Sequence, residues 1–174
     1  EMGRKLGLGV RHDLPMSAIT EGNMPDKAWK LERYKKDWVI GDSINASIGQ
    51  GYVLTSPLQL AVMTARIASG RAVKPRLVRA IDGREVPVEP AESLGFATSN
   101  LAAVQNGMVA VMSGGSGTAR SARVVADEAK MAGKTGTAQV RNISASERER
   151  GVVSNDNLPW RLRDHALFVG YAPV

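Results

Sequence analysis

Residues 131–140 read Met131-Ala132-Gly133-Lys134-Thr135-Gly136-Thr137-Ala138-Gln139-Val140. Small and β-branched residues without helical spacing predict a strand here. Side chains alternate along a strand, so Lys134 and Gly136 share one face while Thr135 and Thr137 share the other. Gly136 would leave the strand unobstructed for an extended peptide to lie alongside. A lysine and hydroxyls suit a substrate carboxylate, and a backbone N–H suits a developing oxyanion. Gly133-Lys134-Thr135 also invites a phosphate-loop reading. The early glycine which that loop needs falls at Glu128, whose carboxylate repels phosphate, and Ala138-Gln139-Val140 opens no helix. The nucleotide reading is rejected.

Working outward, Asp164-His165-Ala166-Leu167-Phe168-Val169-Gly170-Tyr171-Ala172 predicts an antiparallel partner strand. The polar stretch 141–163 between them, with Glu147-Arg148-Glu149-Arg150 and Asn155-Asp156-Asn157, is expected to be a long mobile loop bordering a cleft. A helix is expected over 57–69, with Ser56 as cap, Pro57 at its first position and Gly70 closing it. Leu58, Ala61, Val62, Ala65 and Ala68 share a face that Leu60, Met63 and Ile67 widen, which implies a largely buried helix. A second helix, about 99–112, carries Leu101, Val104, Met108, Val111 and Met112 as its apolar stripe, its methionines filling core gaps. Leu6-Gly7-Leu8-Gly9 reads as a helix end, 10–40 as an irregular excursion with a basic surface, and 72–81 as a short strand before a turn at Asp82-Gly83.

The chain has 174 residues, 43% of them hydrophobic and 23% charged, which suits about one globular domain. It contains no cysteine, so disulfides, thiolate catalysis and cysteine-rich zinc sites are excluded. The net charge of +6 is spread over mixed-sign stretches, and aromatics make up only 5% of the chain, so nucleic acid is not expected as a partner. His12 and His165 are too isolated to hold a metal. His12 is expected at the surface, and His165 beside Asp164 as a hydrogen-bonded anchor of the long loop rather than a catalytic dyad. Asp127 and Glu128 are read as a surface charge pair. Gly49-Gln50-Gly51 is either a plain tight turn or the support of an active-site floor.

Several motifs then fall in order: Gly49-Gln50-Gly51-Tyr52, Thr55-Ser56-Pro57-Leu58-Gln59-Leu60-Ala61, Gly117-Thr118-Ala119, and Lys134-Thr135-Gly136-Thr137. Together they resemble class B penicillin-binding proteins over essentially the whole chain. Gly22-Asn23-Met24-Pro25, Trp29-Lys30 and Arg161-Leu162-Arg163-Asp164-His165-Ala166 make the resemblance strongest to the D,D-transpeptidases of rod-shape elongation. Lys134-Thr135-Gly136 matches the K-T-G element of penicillin-binding proteins and serine β-lactamases.

The resemblance implies an α/β fold of the penicillin-binding protein and serine β-lactamase type, an antiparallel sheet flanked by helices, present here only in part. It implies serine acyl transfer from D-Ala-D-Ala stem peptides to a neighbouring stem's amine, with β-lactams as mimics of the donor and no cofactor. By that carry-over Lys134 supplies electrostatics and proton relay. Thr135 and Thr137 bind the substrate carboxylate, Gly136 permits close approach, and the Thr137 N–H forms half of the oxyanion hole. No serine here has lysine three residues later, so the S-x-x-K nucleophile motif is expected before residue 1, and the S-x-N motif with it. Ser43-Ile44-Asn45 fits S-x-N only formally, because it directly precedes the Gly49-Gln50-Gly51 landmark. Residues 1–174 are thus expected to be the C-terminal part of a transpeptidase domain, inactive alone. The parent is expected in the bacterial periplasm, anchored to the inner membrane by a segment outside this chain. Its partners would be the glycan polymerase of elongation and rod-complex proteins. Two other roles compete: a non-catalytic scaffold fragment with a basic docking surface, and a β-lactam-sensing receptor domain.

Overall fold

A computed structural model describes residues 1–124 and 129–174. The proposed Asp127–Glu128 pair lies outside the described residues. The chain divides into two compact units, Glu1–Gly107 and Met108–Val174.

In the first unit, α1 (Met2–Lys5), α2 (Lys27–Tyr34), α3 (Ile40–Ser47) and α4 (Pro57–Ser69) are followed by the hairpin β1 (Ala80–Ile81) and β2 (Arg84–Glu85). Helix α4 forms for the local reasons its sequence suggests. Ser56 accepts the Gln59 N–H while the Gln59 side chain accepts the Ser56 N–H, Pro57 fits the first turn, and Gly70 closes the helix at φ 68°. Gln59 does more than cap. It is fully buried, and its Nε2 donates to the carbonyls of Val10 at 2.9 Å and Glu21 at 2.7 Å. One amide thereby sews the irregular segment 10–21 onto the helix. Gln105 similarly donates to the Ile67 and Ala68 carbonyls at the other end of α4, two groups the helix leaves without partners.

Helix α2 occupies residues expected to be irregular. Asp26 caps α2 by accepting the Trp29 N–H, and Trp29, Tyr34 and Tyr52 form an aromatic cluster with centroids 5.1–5.7 Å apart. Lys30, read from sequence as part of a solvated basic face, is buried and ion-paired to Asp42 of α3. The Lys30 ammonium, and then the Val39 N–H, hold the Asp42 carboxyl below its ordinary value. His12 is also buried rather than at the surface, with Nε2 donating to the Gly7 carbonyl at 3.0 Å. The strand expected over 72–81 shrinks to β1, paired with β2 across Asp82-Gly83, both at positive φ as a two-residue hairpin turn requires. Helix α4 is half-buried rather than largely buried: Gln59, Val62 and Thr64 are inside, while Ala61 and Ala65 face solvent.

Helix α5 (Thr98–Ser113) runs into the second unit, where Met108 and Met112 are buried. The unit continues with β3 (Ala132–Ala138), α6 (Ala145–Arg150) and β4 (His165–Tyr171). β3 and β4 pair antiparallel along their whole length, from Ala132 opposite Tyr171 to Ala138 opposite His165. The segment expected as bare loop holds α6 and two single helical turns, Asn155–Asn157 and Trp160–Leu162.

Gln59→Leu keeps the apolar volume of the side chain but strands the Val10 and Glu21 carbonyls. Stability is expected to fall by about 2–4 kcal/mol, the cost of two unsatisfied buried acceptors, measured by urea denaturation. An unchanged midpoint would show that 10–21 does not depend on this amide.

Candidate functional site

The sequence-predicted site lies on β3. Lys134, Gly136 and Thr137 are exposed and Thr135 is half-buried, whereas Ala132 and Gly133, where the strand begins, are buried. Among the described residues β3 pairs only with β4, so its other edge carries no strand. The Lys134 ammonium folds back to the Thr135 carbonyl at 2.7 Å. The strand therefore presents one cation and two hydroxyls within four consecutive residues, with backbone groups on an open edge.

Two glycines on this strand differ in what holds them. A Cβ on Gly133 would lie 2.4 Å from the Phe168 ring, and one on Gly170, its partner across the ladder, would lie 2.9 Å from the same ring. Phe168 thus covers a pair of facing glycines, filling the space their missing side chains leave. A Cβ on Gly136 would meet only Leu167 at an ordinary 3.7 Å. Packing requires glycine at 133, while at 136 it leaves the strand's surface open.

The face carrying Thr135 has a second contributor. Thr118 and Thr135 share a hydroxyl–hydroxyl hydrogen bond of 2.9 Å. Thr118 sits in a turn fixed by the end of α5: the Ala119 N–H donates to Val111 at 3.1 Å, Ala119 is buried, and a Cβ on Gly117 would strike the Val111 carbonyl at 2.4 Å. Gly117-Thr118-Ala119 was legible as a motif, but nothing in its pattern announces a contact with Thr135.

At the far end of β3, the chain is tied down. Asp164 accepts the Val140 N–H at 3.4 Å and its own N–H donates to Asn155. Arg141 grips Glu147 of α6 with two bonds of 2.7 and 2.6 Å, and Glu147 also accepts the Val153 N–H. Arg163 donates to the Leu158 and Asp156 carbonyls and lies 5.7 Å from the Trp160 ring centroid. The anchor predicted at His165 is therefore supplied by Asp164 and its neighbours; His165 is exposed at the end of β4.

Ser43 and Asn45 lie on α3 and are engaged locally. Ser43 accepts the Trp38 indole N–H at 2.8 Å, and the Asn45 carbonyl accepts the Gln50 N–H at 2.8 Å. Gly49 and Gly51, both at positive φ, form the tight turn that follows. No cluster of three metal-ligating side chains occurs among the described residues.

Against known proteins, the family model described as "Penicillin binding protein transpeptidase domain" matches residues 1–174. The "Peptidoglycan D,D-transpeptidase MrdA" of Haemophilus influenzae is 35% identical over 176 residues, covering 98% of this chain and 26% of that protein. Among solved structures, the complex between PBP2 and MreC from Helicobacter pylori superposes with a TM-score of 0.76 at 29% identity, covering 98% of this chain and 28% of that one. Pseudomonas aeruginosa PBP2 in complex with WCK 5153 gives 0.73 at 34% identity, covering 98% of this chain and 34% of that one. The chain spans about a quarter of the length of the curated relatives it matches.

Two outcomes are expected here. Gly133→Ala should cost about 1–3 kcal/mol by overpacking against Phe168. Combining it with Phe168→Ala should cost about 1 kcal/mol less than the separate losses summed, as read in a double-mutant cycle by denaturation. The second concerns pH. The Arg141 fork, and then the Val153 N–H, depress the Glu147 carboxyl. A depressed carboxyl stabilises the folded state above its unfolded pKa, about 4.3, and that contribution is lost as pH falls through the lower folded value. Protease resistance of 141–153 is expected to hold at neutral pH and fall on acidification, with Glu147→Gln removing most of that pH dependence.

Proposed function

The chain belongs to the penicillin-binding protein transpeptidase domain family, and on that premise we propose that it is the C-terminal part of the transpeptidase domain of a peptidoglycan D,D-transpeptidase. The observation that carries this reading is β3, a strand with one open edge that offers Lys134, Thr135, Gly136 and Thr137 in succession. A serine nucleophile, contributed by sequence outside these 174 residues, attacks the carbonyl of the penultimate D-alanine of a stem peptide. The serine's proton passes to a neighbouring lysine, D-alanine leaves carrying a proton, and an amine of a second stem displaces the serine.

Residue roles follow from what each group offers. The Thr135 and Thr137 hydroxyls donate to the terminal carboxylate of the donor, to which the Lys134 ammonium adds positive potential. The Thr137 N–H donates to the carbonyl oxygen as it becomes an oxyanion, a bond that strengthens as charge develops. Gly136 lets the donor backbone lie against the strand. The Lys134 contact with the Thr135 carbonyl uses one of its three donors, and a part for this lysine in the proton relay rests on the family resemblance.

That the domain extends beyond these residues is supported by exposed surface. Ile40, Ile44 and Ile48, one helical face along α3 and its end, are 81%, 59% and 67% exposed. An apolar stripe of that kind is what the rest of a larger domain would cover. Among the described residues no helix is long and apolar enough to cross a membrane. A periplasmic position, with the anchor supplied by another segment, accords with peptidoglycan as substrate. Rod-complex proteins are proposed as partners because the Helicobacter pylori relative is described in complex with MreC.

Incubation with a fluorescent penicillin tests the assignment. The full-length protein is expected to become covalently labelled and residues 1–174 alone to remain unlabelled. Lys134→Ala should slow labelling of the full-length protein by about 10²–10⁴-fold. Labelling of the isolated chain, or indifference to Lys134→Ala, would overturn the reading.

A further inference from the structure

We propose that Thr118 is a positioning residue that sets the direction of the Thr135 hydroxyl proton and thereby tunes affinity for carboxylate-bearing donors. The inference rests on the reading of Thr135 as a carboxylate ligand. Its physical basis is the 2.9 Å bond between the two hydroxyl oxygens.

A threonine hydroxyl has one proton and two acceptor lone pairs, whereas a carboxylate only accepts. Thr135 cannot give its proton to Thr118 and to a ligand at once. When a carboxylate binds, Thr118 must be the donor in the shared bond, and the Thr135 proton then points at the ligand. The relay runs from Thr118 Oγ1–H to Thr135 Oγ1, and from Thr135 Oγ1–H to the carboxylate. Each bond polarises the next, and the last is charge-assisted. No covalent bond forms or breaks, and each proton stays on its own oxygen.

Thr118 is held so that it can act in this way. Gly117 fits only because it lacks a Cβ, the Ala119 N–H is tied to Val111 and Ala119 itself is buried, while Arg120 donates to the Gly115 carbonyl at 3.2 Å. The turn is thus clamped on both sides of Thr118 to the end of α5. Thr135 is placed as firmly by its pairing with Phe168 in the β3–β4 ladder. Two side chains from separate elements meet through one hydroxyl each, and Thr118 is exposed, so core packing does not account for the contact.

The test uses the full-length protein and two probes, a penicillin with its free carboxylate and the methyl ester of the same compound. Acylation is followed over a concentration series to separate half-saturation from the limiting rate. Thr118→Val is expected to raise the half-saturating concentration of the free acid about three- to tenfold, the scale of one weakened charge-assisted bond. The limiting rate and the behaviour of the ester should stay unchanged. Thr118→Ser, which keeps the hydroxyl, should restore the wild-type value, and Thr118→Ala should reproduce the valine result if valine disturbs the turn. Equal losses on both probes, no loss on the acid, or failure of serine to rescue would each overturn the inference. Thr135→Val separates this failure from that of the parent reading. If it does not distinguish acid from ester, the carboxylate role of Thr135 falls, and Thr118 with it; if it does and Thr118→Val does not, only the Thr118 inference falls.

Discussion

The candidate site depends on the register of β3 against β4. Side chains alternate with a period of two, so a slip of one residue would move Lys134 to the face now held by Thr135 and Thr137, and move both hydroxyls to the other side. The ladder itself is poor in bulky cross-strand pairs: Gly133 faces Gly170, Gly136 faces Leu167, and Thr137 faces Ala166. Phe168 compensates. Its ring lies over the two facing glycines, and only in the observed register do both gaps fall beneath it. One aromatic side chain thereby specifies which face each chemically useful group occupies.

Around that ribbon, fixation is uneven. At the Thr135 side, the turn 117–119 is held to the end of α5 by backbone bonds and by a glycine too crowded for any side chain. At the Ala138 end, side chains close the return path: Asp164 to Val140, Asn155 to Asp164, Arg141 to Glu147. These close contacts make 141–163 a folded return with its own bonds. Catalysis by differential stabilisation needs donors already in place when charge develops, because reorganising them then would consume the gain. A site carried on a strand whose flanks are both tied meets that requirement better than one carried on a free loop.

What was legible in the sequence was mostly local. Ser56 and Pro57 spell the start of α4 and Gly70 its end, and Asp82-Gly83 spells a turn; none of these needs distant partners. The β3 pattern was readable because small and β-branched residues have no competing helical period. The misread positions depend on contacts that no local pattern announces. Lys30 is buried because Asp42, twelve residues on, neutralises it; His12 is buried because the Gly7 carbonyl accepts its proton. Charged and ring residues default to the surface when no partner is visible. Helix α2 rests on the meeting of Trp29 and Tyr34 with Tyr52, and at eight residues its apolar stripe is too short to stand out from the charges around it. The expected site residues Lys134, Thr135, Gly136 and Thr137 were proposed from one strand's pattern and do lie on that strand, β3. The hydrogen bond between Thr118 and Thr135 was not legible, because a contact between a helix-end turn and a strand leaves no periodic trace.

The division of labour within the domain follows from what these residues can and cannot do. A strand edge with a cation, hydroxyls and an N–H suits an anionic, carbonyl-bearing peptide, as proposed for β3, but none of these groups is an activated nucleophile. Lys134 engages the Thr135 carbonyl, and Ser43 is engaged by Trp38 on a helix of the first unit. On the proposed reading, binding and electrostatic stabilisation fall to these 174 residues and bond making to a serine elsewhere in the domain. Such a partition places strict demands on assembly. Under that proposal the oxyanion donor and the nucleophile would have to be brought together by packing between segments distant in sequence, where errors of an ångström lower a rate steeply. Within the first unit, the exposed isoleucines of α3 offer an apolar surface of the kind that docks more rigidly than a few polar contacts would.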